Sequence, residues 1–459
     1  MGRLRMAARP HPDPLPEGQG GNQASRSRSA RAAAEPSDDA LLDRLQRAAF
    51  DYFLQTVNPQ NGLIADTTRD GAPSSIAAVG FALSAYPVGV EHGWIERAEA
   101  VERALAVLRF FWDSDQSGSP DATGYRGFYF HFLDMRSGTR TWLSEVSLID
   151  TGFLMAGVLT AAAYFDAATS AETELRRLAD ALYRRVDWRW AQRDSSAVMH
   201  GWKPECGFLH YGWEGYSEAI LLYVLGLGSP THPLTEQSFR AWTVTYQWEN
   251  LYGYDFLYAG PLFIHEFSHA WIDFRGIRDD FMREKDCDYF ENSRRATYVQ
   301  REYATRNPRS FEGYGADCWG LSAGEGPSAP PRLVAGRRRA FYGYAARGVP
   351  YGPDDGTISG SSVLSSLAFA PEIALPALRN LVARGPTGAG ELVRASGFNQ
   401  TLGEAGPNGW ISPGLFGLDQ GMIVLMIENY RSGLLWRLGR GNPYIRTGLR
   451  RAGFRGGWL

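Results

Sequence analysis

Residues 210–219 read His-Tyr-Gly-Trp-Glu-Gly-Tyr-Ser-Glu-Ala, so that four rings crowd two carboxylates, Glu214 and Glu218. A carboxyl group held against an apolar wall has a raised pKa and can give up a proton near neutrality. Flat rings such as Tyr211 and Trp213 stack on the faces of pyranose sugars, and the two properties together suit sugar chemistry. Acid–base cleavage of a glycosidic bond takes two carboxyl groups. A second source lies upstream in 142–152, Trp-Leu-Ser-Glu-Val-Ser-Leu-Ile-Asp-Thr-Gly, where Trp142 precedes Glu145 and Asp150 at the mouth of an apolar helix. Glu145 and Glu214 are candidates for such a pair. Their competing role is that of helix N-terminal acids, favoured there by the backbone dipole. Trp142, Trp202, Tyr211, Trp213 and Trp410 are expected to stack on sugar, with core packing as the competing role of each.

A third segment, His265-Glu-Phe-Ser-His269, matches the H-E-x-x-H pattern, in which two imidazoles on one helix face bind zinc and Glu266 serves as base. Glu284 or Glu291 would have to supply the third ligand. The other reading has His269 facing sugar or core. Cys206, Cys287 and Cys318 fit no zinc spacing, and their odd number argues against a disulfide framework. The net charge of −3, from 47 basic and 50 acidic residues, offers nucleic acid no attractive field and fits a neutral or weakly charged substrate. No run of 18 apolar residues exists to span a membrane.

The elements that must position these groups are helices. Residues 1–36 carry Arg, Ser, Ala, Pro and Gly with few large apolar side chains and are expected to be disordered; basic residues recur through them with no apolar centre, unlike a secretory signal. From Ser37 onward one domain, 37–459, is expected. Apolar spacing predicts helices over about 38–58, 74–86, 94–112, 142–165, 170–187, 215–227, 234–242, 261–274, 288–306, 361–369, 372–384 and 420–436, the first stopped by Pro59 and Gly62. Helices apolar on every side alternate with amphipathic ones, and strands are scarce, apart from a short hairpin expected at Phe128-Tyr-Phe-His-Phe132. That alternation predicts an all-α toroid of helical hairpins whose loops at one end carry the chemistry. Residues 307–360, with six prolines, are expected to rim or cover the cleft.

Segments 142–152, 213–218 (Trp-Glu-Gly-Tyr-Ser-Glu), 268–275 (Ser-His-Ala-Trp-Ile-Asp-Phe-Arg) and 426–431 (Met-Ile-Glu-Asn-Tyr-Arg) resemble the glucoamylase-like bacterial family over about 41–437. That group includes glycoside hydrolase family 144, the β-1,2-glucanases, and is similar to the cyclising domain of cyclic β-1,2-glucan synthases. The resemblance implies an (α/α)6 barrel that acts on β-1,2-linked glucose chains without metal or cofactor, with hydrolysis expected and transglycosylation or non-catalytic glucan binding as alternatives. It implies Glu145 and Glu214 as the matching acids, Asp150 and Glu218 as supporting acids, and Asp419 as an alternative handler of water. The family usually carries Gln at the position of Glu266, which makes the zinc pattern accidental. It also implies a periplasmic location, although no signal is visible, and a monomer is expected.

Overall fold

A computed structural model describes residues 36–193, 195–402 and 409–459; the disorder expected of 1–36 concerns residues that, Pro36 aside, lie outside it. Asp38–Leu459 form one compact unit. In chain order the helices are α1 (Asp38–Gln55), α2 (Ile76–Glu91), α3 (Arg97–Asp113), α4 (Leu148–Tyr164), α5 (Ser170–Arg185), α6 (Ile220–Gly228), α7 (Gln237–Thr243), α8 (Leu262–Glu266), α9 (Asp280–Glu284), α10 (Tyr289–Arg306), α11 (Gly360–Ser365), α12 (Pro371–Arg384), α13 (Glu391–Arg394), α14 (Gly417–Arg431), α15 (Leu434–Gly441) and α16 (Pro443–Arg451).

Their burial follows their composition. In α2 every residue from Ile76 to Gly89 is buried, and α4 and α6 are buried nearly throughout. In α5 only one stripe, including Leu175, Leu178, Ala179 and Leu182, faces inward, while Arg184 lies outward and pairs with Asp180. The first turn of α4 is capped by Ser147, whose Oγ accepts from the Asp150 backbone N–H, and that of α5 by Thr169, which accepts from Glu172. The buried helices pack side by side, α2 between α4 and α14, and α14 against α11; the amphipathic α1 covers α14, and α5 covers α4. The molecule is thus helix-rich, with an inner set of helices screened by an outer one.

The closest approach in the inner set is made by glycine. A Cβ on Gly157 of α4 would overlap the carbonyl of Gly80 on α2, and one on Gly80 would overlap the Phe153 carbonyl. The two backbones therefore touch. Gly157→Ala is expected to cost about 1–3 kcal/mol through overpacking, read as a lower denaturation midpoint at unchanged slope.

Three expectations are corrected. The helix expected over 261–274 is five residues of α8 followed by a 3-10 turn, Phe267–Ala270, in which Ser268 Oγ donates to the Glu218 carbonyl at 2.8 Å. This tether joins the segment to the end of the 210–219 loop. The helix expected to run to 436 stops at Arg431, because Gly433 takes φ +66° and starts α15 in a new direction. The 128–132 segment does not pair with itself. Phe128–Phe130 lies between Gly124–Tyr125 and Val146–Ser147 in an antiparallel sheet that continues to Gly201–Lys203 and Gly207–Phe208, and Phe132–Leu133 pairs with Ser74–Ser75. These short strands bind the entrances of α2 and α4 together.

The 307–360 stretch is irregular but fixed from within. The Arg347 guanidinium, with its side chain 1% exposed, donates to both Asp355 oxygens, Nε at 2.7 Å and Nη2 at 3.0 Å, and to the carbonyls of Gly324 and Gly343 at 2.9 and 3.0 Å. All this lies beside Tyr344 and Ala346, which the pair holds in position over the site.

Candidate active site

The inner helices and the short strands enclose a cavity of about 470 Å3. Its carboxylates arrive from separate elements: Asp66 from the loop after α1, Asp150 from the first turn of α4, Glu218 from the turn before α6, Glu266 from the end of α8 and Asp419 from the first turn of α14. Phe132, Phe153, Phe263, Phe267 and Phe416 supply apolar wall, and Tyr344, two-thirds exposed, stands at the mouth. Serines 75, 322, 361, 362, 365 and 396 supply hydroxyls.

Burial governs the acids. It pushes Glu218 up to about 7, with the charge of Asp150 adding to the rise and a backbone hydrogen bond opposing it. It likewise pushes Asp419 up to about 7, against hydrogen bonds from Ser361 (Oγ to Oδ1, 2.7 Å) and Ser396. Asp66 rises to about 6 for the same reason, despite the opposing charge of His131. Glu266, 1% exposed, is held well above the usual carboxylate range by burial.

His131 is the cation of the site. Its Nδ1 meets Glu145 Oε1 at 3.1 Å and its Nε2 faces Asp150 Oδ2 at 3.5 Å. Burial alone would lower its pKa, but the charge of Asp150, the hydrogen bond and charge of Glu145, and the charge of Asp66 outweigh it and set the imidazole at about 9. Glu145 in turn is pulled below its usual range: burial raises it, and the bond and charge of His131 more than compensate. Asp150 is further held by Ser147, whose Oγ donates to Oδ2 at 2.5 Å.

The expected residues therefore separate. Asp150, Glu218 and Asp419 share the cavity wall. Glu145 does not line it; it stands behind His131 as that residue's partner. Glu214 does not line it either, and its side chain is exposed to solvent. The expectation that Glu145 and Glu214 face each other in one hollow is corrected accordingly: Gly215, at φ +78°, turns the chain between Glu214 and Glu218 and sends only the second inward.

Among the rings, Trp142 is two-thirds exposed and packs on Phe132, a cavity residue, at 5.0 Å between centroids. Tyr211 is exposed. Trp213 is half-buried and stacks on His200 at 4.1 Å. Trp202 is half-buried and stacks on Tyr125 at 4.7 Å. Trp410 is half-buried in a strand paired with Asn399. None of these five lines the cavity.

His269 is corrected to a core residue. It is 2% exposed, Ser293 Oγ meets its Nε2 at 3.1 Å, phenylalanines 274 and 369 meet its ring at their edges, and burial lowers its pKa to about 3. His265 is also buried and bonds the Ala259 carbonyl through Nε2 at 3.1 Å. Glu266, in contrast, points into the cavity. Both histidines pack on α10, His265 beside Asn292 and His269 beside Ser293, while Glu266 turns to the cavity, and the short α8 runs into a 3-10 turn rather than continuing as the helix the pattern needs. Among the described residues no cluster of three or more His, Cys, Asp or Glu is placed to hold a metal ion, and no helix is long and apolar enough to cross a membrane. Of the thiols, Cys206 is exposed and Cys287 and Cys318 are buried.

Sequence reasoning passed over Asp66, His131 and Tyr344. Asp66 and Tyr344 lie in loops without a motif. His131 left one signal, a lone histidine among the rings and apolar side chains of 128–133.

Comparison with known proteins gives a consistent picture. The Glycoamylase family model, that of a glucoamylase, matches residues 210–443. An exo beta-1,2-glucooligosaccharide sophorohydrolase (non-reducing end) of Parabacteroides distasonis is 27% identical over 94% of this chain; the chain spans 60% of that relative's length. An endo-beta-1,2-glucanase from Chitinophaga pinensis, solved with sophorotriose and glucose, is 26% identical with a TM-score of 0.78, the match covering 92% of this chain and all of that one. A beta-1,2-glucanase from Parabacteroides distasonis has a TM-score of 0.79 at 26% identity, over 91% of this chain and 60% of that one.

Proposed function

Because the chain belongs to the Glycoamylase family of glucoamylase-like proteins, we propose that it is a glycoside hydrolase that cleaves β-1,2-linked glucan in this cavity. One observation carries the reading. Glu218, from the turn before α6, and Asp419, from the first turn of α14, lie in one aromatic-walled hollow, and burial brings both to a pKa of about 7. The similar proteins act on β-1,2-linked glucose chains, which supports the same linkage here. The helix order, with α2, α4, α6, α8, α11 and α14 inside and α1, α3, α5, α7, α10 and α12 outside, supports an (α/α)6 barrel, with 37–459 as the catalytic domain.

In the proposed mechanism Glu218 is protonated and gives its proton to the glycosidic oxygen as the bond from that oxygen to the anomeric carbon breaks. Asp419 is ionised and takes a proton from the water whose oxygen ends on the anomeric carbon. Asp150, braced by Ser147 and the His131 imidazolium, supplies fixed negative charge near the developing oxocarbenium ion. Glu145 acts through His131. Tyr344 and Trp142 offer ring faces at the mouth, each able to add about 1 kcal/mol to binding of a sugar.

The productive state has Glu218 protonated and Asp419 ionised. Protonating Asp419 removes it on the acid side, and ionising Glu218 removes it on the alkaline side. With both groups at about 7, kcat/KM is expected to be bell-shaped with a narrow maximum near neutrality. A flat profile across that range would remove these two groups from the reaction. The identity of the reaction is tested by incubating the protein with linear β-1,2-glucan beside other β-glucans and resolving products by size. Linear oligosaccharides with new reducing ends, from the β-1,2 polymer alone, are expected. Rings or lengthened chains would mean transglycosylation, and binding without new reducing ends would mean a non-catalytic glucan receptor.

A further inference from the structure

A ring face at the mouth does not exhaust what Tyr344 offers. Its side chain lines the hollow yet is 67% exposed, because it projects into the open space rather than packing on the wall. Its hydroxyl has no hydrogen-bond partner among the described residues. The backbone that carries it is fixed on both sides. The Arg347 guanidinium donates to the carbonyls of Gly343 and Ala345, at 3.0 and 3.3 Å, and Ala345–Ala346 pairs antiparallel with Ala323–Gly324. Neighbouring cavity hydroxyls, in contrast, already have partners in the protein. Ser361 Oγ donates to Asp419 at 2.7 Å, and Ser365 Oγ to the Ser361 carbonyl at 2.9 Å. Ser322 Oγ accepts from the Phe263 N–H at 3.0 Å, and Ser396 Oγ from the Glu325 N–H at 3.1 Å. Tyr344 thus brings to the cavity an accessible hydroxyl, held in place and free to meet a ligand or a water.

The water that Asp419 activates needs such a group. A water bound through one hydrogen still turns about that bond, and its lone pair meets the anomeric carbon only part of the time. A second acceptor for its other hydrogen fixes the direction of attack. We infer that Tyr344 is a water-holding residue: its Oη accepts one hydrogen of the attacking water while Asp419 takes the other, so that the lone pair between them faces the anomeric carbon. The inference rests on the hydrolysis proposed above and extends it by a residue that moves no proton of its own. Asp419 receives one water proton, and the other stays on the oxygen that ends on the sugar. The phenol suits this task because it stays neutral. Burial first, then the charges of Asp419, Asp66, Asp150 and Glu218, hold its pKa well above the usual tyrosine value, so its oxygen accepts without giving up its proton. Those charges act because the hydroxyl lies among the acids, and that of Asp419 has the largest effect of the four.

Tyr344→Phe keeps the ring and removes only the hydroxyl. Were the ring merely a platform for sugar, this variant would be as active as the parent. Its kcat on linear β-1,2-glucan is instead expected to fall about tenfold or more, with KM, and the affinity for sophorose by calorimetry, within about twofold of the parent. Tyr344→Leu removes the ring as well, and is expected to show the same fall in kcat with KM raised about fivefold. The hydroxyl bonds no described residue, so both variants are expected to keep the parent's Tm. If the phenylalanine variant does not fold, the leucine variant supplies the test of kcat. A folded variant without the hydroxyl that keeps the parent's kcat, whether or not its KM rises, overturns the inference and leaves the hydrolase reading standing. A parent protein that does not cleave β-1,2-glucan overturns both.

Discussion

Glu218→Gln is expected to lower kcat on β-1,2-glucan by roughly 10²–10⁴-fold, with little change in KM and no loss of fold. The amide fits the same space but has no proton to give at neutral pH. Asp419→Asn is expected to lose a comparable factor, through the water rather than the leaving oxygen. Glu214→Gln is the matched control. Its side chain faces solvent, and turnover within about twofold of the parent is expected. Near-parental turnover in Glu218→Gln, or a large loss in Glu214→Gln, would transfer the donor's role to Glu214.

The same substitutions have a second, opposite effect. The folded-state pKa values of Glu218 and Asp419 are raised, so burial of the neutral acid is fully tolerated below the unfolded values near 4 and becomes unfavourable as pH rises through about 7. At pH 8 each amide variant is therefore expected to be more stable than the parent by on the order of 3–4 kcal/mol, and at pH 4 nearly equal to it. Denaturant titrations at the two pH values check the sign. A group that is inactive when replaced yet stabilising to remove is a group kept for chemistry rather than for folding.

Asp355→Asn is expected to cost about 3–5 kcal/mol of stability, because it leaves the Arg347 guanidinium charged and buried with its partner gone. Arg347→Met alone strands the Asp355 carboxylate and is expected to cost a similar amount. The double variant, Arg347→Met with Asp355→Leu, removes both charges and is expected to recover most of that loss. A double-mutant cycle in urea measures the coupling, and additive single effects would show that the two ions do not depend on each other. Because Tyr344 and Ala346 sit beside Arg347 and line the cavity, the single variants are also expected to raise KM.

The helices were legible because burial leaves a strong imprint. Residues 76–89 and 148–161 are apolar on all sides, and only an inner helix can bury them so. The site was legible in part. Asp150, Glu218 and Asp419 were among the expected acids because each opens an apolar helix, a position that both the dipole and the cavity favour. The choice between Glu214 and Glu218 was not legible, since it turns on the φ of Gly215, and a glycine's sign of φ is set by the fold around it. Asp66 and Tyr344 were missed because a loop residue acquires a role only from what the loop is laid against. The break after Arg431 could have been foreseen from Ser432 and Gly433, a common helix stop that the apolar run on either side obscured.

The three thiols differ in a way that can be put to use. Cys206 is exposed, in the turn that joins Gly201–Lys203 to Gly207–Phe208 next to Glu205, whose carboxylate grips Arg140. Cys287 and Cys318 are buried, and burial pushes both up to about 11, far from a reactive thiolate. A maleimide dye should thus attach at one point in the native protein. That point belongs to the same sheet as Val146–Ser147, which leads into Asp150, so the label becomes an optical reporter of glucan arriving at the acids without any engineered cysteine.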